Sequence, residues 1–174
     1  DGARIWNALV KKQESPLEYG GIFDTVSVCL SKGLGCPIGS VLLGNKELME
    51  KSMRIRKILG GAMRQSGYLA AAGIFALENN IKRLADDHLR AKEIGEKLIN
   101  MSFVKKVQDI ETNIIVFEID KSVNKEVIIN AFNKLNILFD WYSMGTEKIR
   151  IVTHINYTQE KHIYLLDSLD TLKI

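Results

Sequence analysis

A chain of 174 residues, 46% apolar and 26% charged with only 2 prolines, has the make-up of a globular protein able to bury a core. That composition excludes disordered and collagen-like chains, and a Lys plus Arg to Asp plus Glu balance of 24 to 21 is too even to demand a nucleic-acid partner. Charges interrupt every apolar stretch short of the roughly 18 residues that a membrane span needs, so the expectation is a soluble, cytoplasmic protein with no membrane partner and reduced thiols at Cys29 and Cys36.

The chain opens on Asp1 without a Met and is read as a fragment of something larger. Residues 22–30, IFDTVSVCL, set Val26, Val28 and Leu30 two apart and predict a buried strand ending near Leu30. The following SKGLGCPIG and SVLLG predict a tight turn and a second strand. Asn45 is suited to cap a helix over 46–58, with Leu48, Met49, Ser52, Ile55 and Leu59 on one side and Gly60 and Gly61 as its stop. From Leu69 to Leu98 apolar residues recur at steps of three and four, predicting one long or once-broken helix that connects two lobes.

Beyond it the pattern changes to a small α+β lobe. VKKVQD and 112–119 read as strands, and Asn124 caps a helix with Ile128, Ala131, Phe132 and Leu135 inward. Strands near 137–142 and 148–153 and a last helix begun at Thr158 complete it. The expected division is 1–99, the end of a large domain with its connecting helix, and 100–174, a small C-terminal domain.

Lys32 lies in the glycine-rich turn directly after the first strand. Apolar neighbours there would desolvate its ammonium and favour the neutral amine that attacks carbonyls. Taken alone, it reads first as a solvated lysine at a turn tip. Gly33, Gly35 and Gly39 fit neither a dinucleotide fingerprint nor a P-loop, because the lysine precedes them and Pro37 obstructs a helix start. They are expected to allow positive φ and the close approach of a flat ligand. Asp1 and Arg4 in DGAR would by themselves be a surface ion pair. Lys51, Arg54, Arg56 and Lys57 read as a solvated helix face, and Tyr68 is too isolated an aromatic for nucleic-acid stacking. His88, His154 and His162 lack metal-ligand spacing and read as surface or hydrogen-bonded residues, with His154 the nearest to the strand that carries Arg150. Trp6, Trp141 and Tyr142 read as packing or interface residues.

Three segments, DGAR, SVCLSKGLGCPIGS and LGGAMRQSGYLAAAG, together resemble the low-specificity L-threonine aldolases, and KIRIVTH is similar to part of their small domain. The resemblance runs over essentially the whole chain and corresponds to the C-terminal half of such an enzyme. It implies an α/β fold: the C-terminal part of a pyridoxal-phosphate-dependent, aspartate-aminotransferase-like large domain plus a small α+β domain. It implies pyridoxal 5'-phosphate as cofactor, with Asp1 facing the pyridine nitrogen and Lys32 holding the cofactor as a Schiff base. Arg4 and Arg150 would grip the substrate α-carboxylate, and Arg64 in GGAMRQ would reach the cofactor phosphate of a neighbouring subunit. A homodimer or homotetramer acting on a small β-hydroxy amino acid follows, cleaving L-threonine or L-allo-threonine to glycine and acetaldehyde. The family's phosphate loop, ring-stacking histidine and candidate base precede the position of Asp1, so this polypeptide alone is expected to have little activity. A β-eliminating lyase, or a non-catalytic piece that only folds or dimerises, remains the alternative.

Overall fold

The computed structural model describes residues 1–145, 147–172 and 174, and within them the chain divides into two compact units, Asp1–Ala85 and Asp86–Ile174. In the first unit, helices α1 (Ile5–Lys12) and α2 (Pro16–Ile22) precede strands β1 (Thr25–Cys29) and β2 (Ser40–Gly44), followed by helices α3 (Lys46–Ile58) and α4 (Gly67–Asn79). β1 and β2 pair antiparallel with Val28 opposite Val41, as the strand, turn and strand pattern predicts. On the other edge of β1, Gly2 makes a parallel bridge to Val28 and its N–H donates to the Ser27 carbonyl at 2.7 Å.

The first helices are the departure from the sequence reading. Ile22 ends α2 instead of opening a strand, and β1 starts only at Thr25. Ser15 explains α2: its hydroxyl accepts from the Leu17 N–H at 3.3 Å, and Pro16 occupies the first turn, where no donor is needed. Asn45 caps α3 through Leu48 N–H at 2.9 Å, and Gly60 then adopts φ +78. The predicted apolar side of α3 is only partly covered: Leu48, Met49 and Ser52 are half-buried, whereas Ile55 and Leu59 are exposed. Every residue of β2 is exposed, and α4, apolar nearly all round, buries only Gly73 and Ala76. A helix of that composition belongs inside a larger packed body. The core of this unit is small: Leu34, Cys36, Ala76 and Leu84, with Trp6, Val10, Leu30 and Ile81 against them. Both cysteines are free thiols, and burial pushes Cys36 above its ordinary value.

Helix α5 (Leu84–Leu98) follows the break at residues 80–83 that the sequence allowed in its long helix. The second unit adds β3 (Val104–Val107), β4 (Ile114–Ile119), helix α6 (Lys125–Lys134), β5 (Lys148–Val152) and helix α7 (Gln159–Thr171). Its antiparallel sheet has the order β3-β4-β5. Along β4, Ile115, Phe117 and Ile119 are buried while their neighbours are half-buried, the period-two signature of a strand with one core face. They meet Ala91, Ile94 and Leu98 of α5, Ile128 and Phe132 of α6, and Leu165 and Leu169 of α7.

The strand predicted near 137–142 does not form. Asn136 turns the chain with φ +54, and the segment alternates inward Ile137, Phe139 and Trp141 with exposed Leu138, Asp140 and Tyr142 without joining the sheet ladder. Its alternation serves aromatic packing on Phe132 instead. After β4, Asp120 Oδ1 accepts from the Ser122 N–H at 2.8 Å and from the Ser122 hydroxyl at 2.7 Å. These bonds, the backbone one foremost, hold its carboxyl below the ordinary 3.8. A depressed carboxylate stabilises fully above that value and loses the contribution as pH falls through its folded value. Asp120→Ala is therefore expected to unfold more easily than the parent at neutral pH, with the two converging in acid. A gap in unfolding midpoint that persists unchanged into acid would contradict this.

Among the described residues, no helix is long and apolar enough to cross a membrane.

Candidate active site

The site begins with the parallel bridge. Gly2 lies so close to β1 that a Cβ there would stand 2.8 Å from the Ser27 carbonyl oxygen, so glycine is required for DGAR to run alongside the strand. In open α/β sheets, ligands gather beyond the carboxyl ends of parallel strands. Lys32 follows the carboxyl end of β1 and opens a turn closed by Gly35 N–H to the Lys32 carbonyl at 3.0 Å. Cys36 N–H to Leu30 carbonyl, at 3.1 Å, and Leu30 N–H to Gly39 carbonyl, at 3.0 Å, tie the turn down.

Gly35 and Gly39 have φ of +74 and +115, as the glycine pattern implies. Gly33 serves differently. A Cβ on it would lie 2.7 Å from Asn7 Oδ1 and 3.0 Å from Leu84 Cδ2, so it permits the close approach of α1 and of Leu84. Asn7 is itself buried and has little room to give way. Gly33→Ala should cost ~1–3 kcal/mol, read by urea unfolding; an unchanged midpoint would show that the turn is not clamped there.

Lys32 is exposed, so the desolvation expected of its amine is not supplied by its own unit. Its ammonium has no hydrogen bond or ion pair among the described residues, leaving the amine uncommitted. Asp1 is also exposed, and its Oδ1 accepts from the Ala3 N–H at 2.9 Å, which holds the carboxylate against the DGAR backbone. Arg4, half-buried at the start of α1, lines with Asp1 a depression of about 340 Å³ that Tyr19, Phe23 and Val26 help to wall. Arg64 lies in the exposed link between α3 and α4, beside Gln65 at φ +52.

In the second unit, Arg150 stands on β5 opposite Val116 and is exposed. It lines a cavity of about 450 Å³ with Thr153, His154, Tyr157, Lys161 and Tyr164. Thr153 is buried at the strand's end: its N–H donates to the Asn113 carbonyl at 3.0 Å and its hydroxyl to the Asp87 carbonyl at 2.7 Å. Of the histidines, His154 is exposed, with Nδ1 accepting from the Asn156 N–H at 3.2 Å, and His162 is buried and hydrogen-bonded. Tyr142 lies under the Lys125 ammonium, 4.2 Å from ring centroid to nitrogen. Nothing in the sequence singles out Asn7 or Tyr157. The spacing of Ile5, Trp6, Leu9 and Val10 was the available signal for α1, but nothing local marks a residue held by a partner far along the chain.

Solved structures similar to this chain show its fold. A histidinol-phosphate aminotransferase from Clostridium acetobutylicum superposes with a TM-score of 0.61 at 15% identity, over 93% of this chain and 50% of that one. A protein from Listeria monocytogenes EGD-E, described as a candidate L-allo-threonine aldolase, reaches 0.81 at 19% identity, over 99% of this chain and 51% of that one. The fold is thus aminotransferase-like, as the resemblance implied. The beta-eliminating lyase family profile matches residues 1–122, and the chain belongs to that family. It is 38% identical over 161 residues to the low specificity L-threonine aldolase of Escherichia coli (strain K12), covering 92% of this chain and 46% of that protein. With the low-specificity L-threonine aldolase 1 of Arabidopsis thaliana it shares 37% over 169 residues, covering 95% and 47%. The chain spans about half the length of the curated relatives it matches.

Pyridoxal 5'-phosphate is the cofactor of this family. The residues present suit it: an uncommitted primary amine after β1, and a carboxylate and a guanidinium around one depression in the same unit.

Proposed function

We propose that the protein carrying this chain cleaves L-threonine and L-allo-threonine to glycine and acetaldehyde, in the cytoplasm and as a homodimer or homotetramer. Pyridoxal 5'-phosphate, when bound, supplies the sink for the electron pair left on Cα as the Cα–Cβ bond breaks. Lys32 offers the ε-amine that holds the cofactor, because an unpaired amine on a flexible four-carbon stem beyond a strand end can reach an aldehyde. Asp1 keeps a proton on the pyridine nitrogen. Arg4 and Arg150 are the two guanidinium donors assigned to the α-carboxylate; the planar fork matches a carboxylate in a way that an ammonium does not. Holding that carboxylate decides which bond at Cα stands perpendicular to the ring, and so which one breaks. Arg64 is assigned to the phosphate of a neighbouring subunit. The exposed apolar residues of β2, α3 and α4 support an assembled protein.

The observation that carries this reading is Lys32, uncommitted in the LSKGLG turn, in a chain 38% identical to a threonine aldolase over 92% of its length. The family's own description favours a second reading, β-elimination. Product analysis separates them. Supplied with cofactor and L-threonine, the protein should release glycine and acetaldehyde in equal amounts, whereas ammonia and a keto acid would establish elimination.

A further inference from the structure

One polar chain in the second unit has no part in the roles above. His162, 1% exposed, lies between two partners: its Nε2 is 2.6 Å from Glu93 Oε2 on α5, and its Nδ1 is 3.2 Å from the Tyr157 hydroxyl. Burial raises the Tyr157 phenol well above its ordinary value, so its hydroxyl is a standing donor. With Tyr157 donating to Nδ1, the imidazole proton is assigned to Nε2 and given to Glu93. The Tyr157 carbonyl accepts from Arg90 Nη1 at 2.7 Å, and its N–H donates to the His154 carbonyl at 2.8 Å. Both ends of Tyr157 are therefore tied, and Tyr157 walls the cavity that Arg150 lines.

We infer that Glu93 and His162 are positioning residues, which act through Tyr157 to hold the wall of the Arg150 cavity in the shape that receives the substrate carboxylate. The inference rests on the assignment of Arg150 to that carboxylate. Glu93 sits one helical turn beyond Arg90 on α5, so one face of that helix grips the 154–162 segment at two points. Removing the imidazole would release the Tyr157 hydroxyl and leave its ring free to leave the wall, while Arg150 on its paired strand stays in place.

The test uses the cofactor-loaded full-length protein, with L-threonine as the probe. His162→Leu and Tyr157→Phe should each raise its KM and its calorimetric dissociation constant about 5-fold, the size of one lost hydrogen bond, with kcat within about twofold. His162→Gln, which can still join Tyr157 to Glu93, should recover most of that affinity. Arg150→Leu is the control. If Arg150→Leu weakens binding but His162→Leu and Tyr157→Phe lower only the melting temperature, the inference is overturned and the assignment of Arg150 stands. If Arg150→Leu itself leaves binding unchanged, that assignment fails and takes the inference with it.

Discussion

Lys32→Ala should lower the turnover of L-threonine by at least about 10³-fold, or ~4 kcal/mol of barrier, in the protein that carries this chain. Lys32→Arg should fare little better. Arginine keeps the charge and exceeds the length, but its guanidinium does not deprotonate in proteins and cannot act as an amine nucleophile. The structure makes the experiment clean. The Lys32 side chain is exposed and has no hydrogen bond or ion pair among the described residues, so its loss should change the stability of the cofactor-free protein by no more than ~0.5 kcal/mol. A large loss of turnover at constant melting temperature is therefore a chemical effect. Borohydride reduction of the cofactor-loaded protein followed by peptide mapping gives a second readout, in which the label should fall on Lys32. Turnover retained within tenfold, or label on another lysine, would remove Lys32 from the mechanism.

The largest expected stability effect lies in the second unit. Phe132 is 1% exposed, with ring centroids of Phe103, Phe139 and Trp141 at 6.1, 5.1 and 5.4 Å and interplanar angles of 89°, 64° and 58°. Edge-on and tilted pairs of this kind add to the burial of the ring itself. Phe132→Ala should cost ~3–5 kcal/mol, because its ring neighbours come from the segment before β3 and the irregular 137–142 segment and cannot all collapse into the hole. That is a large part of the ~5–15 kcal/mol by which a typical domain is stable. Leu138→Ala, six residues away and 79% exposed, serves as the contrast and should change stability by ~0.5 kcal/mol at most. Equal losses from the two substitutions in urea unfolding would show that the aromatic cluster is not the keystone of this unit.

The two substitutions also mark what each level of description can reach. Phe132 was legible because helical spacing needs no partner: with Ile128 it repeats at four, and both prove buried. The caps at Asn45, Asn124 and Thr158 were legible for the same reason, since a side-chain oxygen satisfying N–H groups two or three residues on is a local event. Lys32 stood out through the glycines after it and a resemblance along the whole chain. Asp1, Arg4, Arg64 and Arg150 came from that resemblance alone, because nothing in a carboxylate or a guanidinium reveals what it will face.

Composition, periodicity and caps thus determined the order of elements from β1 onward apart from 137–142, the β1–β2 hairpin, the inward face of α6, and the lysine turn. Only the tertiary structure decided that Gly33 makes room for Asn7, that 137–142 packs its aromatic rings without joining a ladder, and that His162 spans Tyr157 and Glu93. The physical reason is range. A cap or an amphipathic stripe is fixed by neighbours a few residues away, whereas a steric limit on one Cβ or the pairing of His162 with Glu93 depends on atoms brought close by folding from tens of residues along the chain.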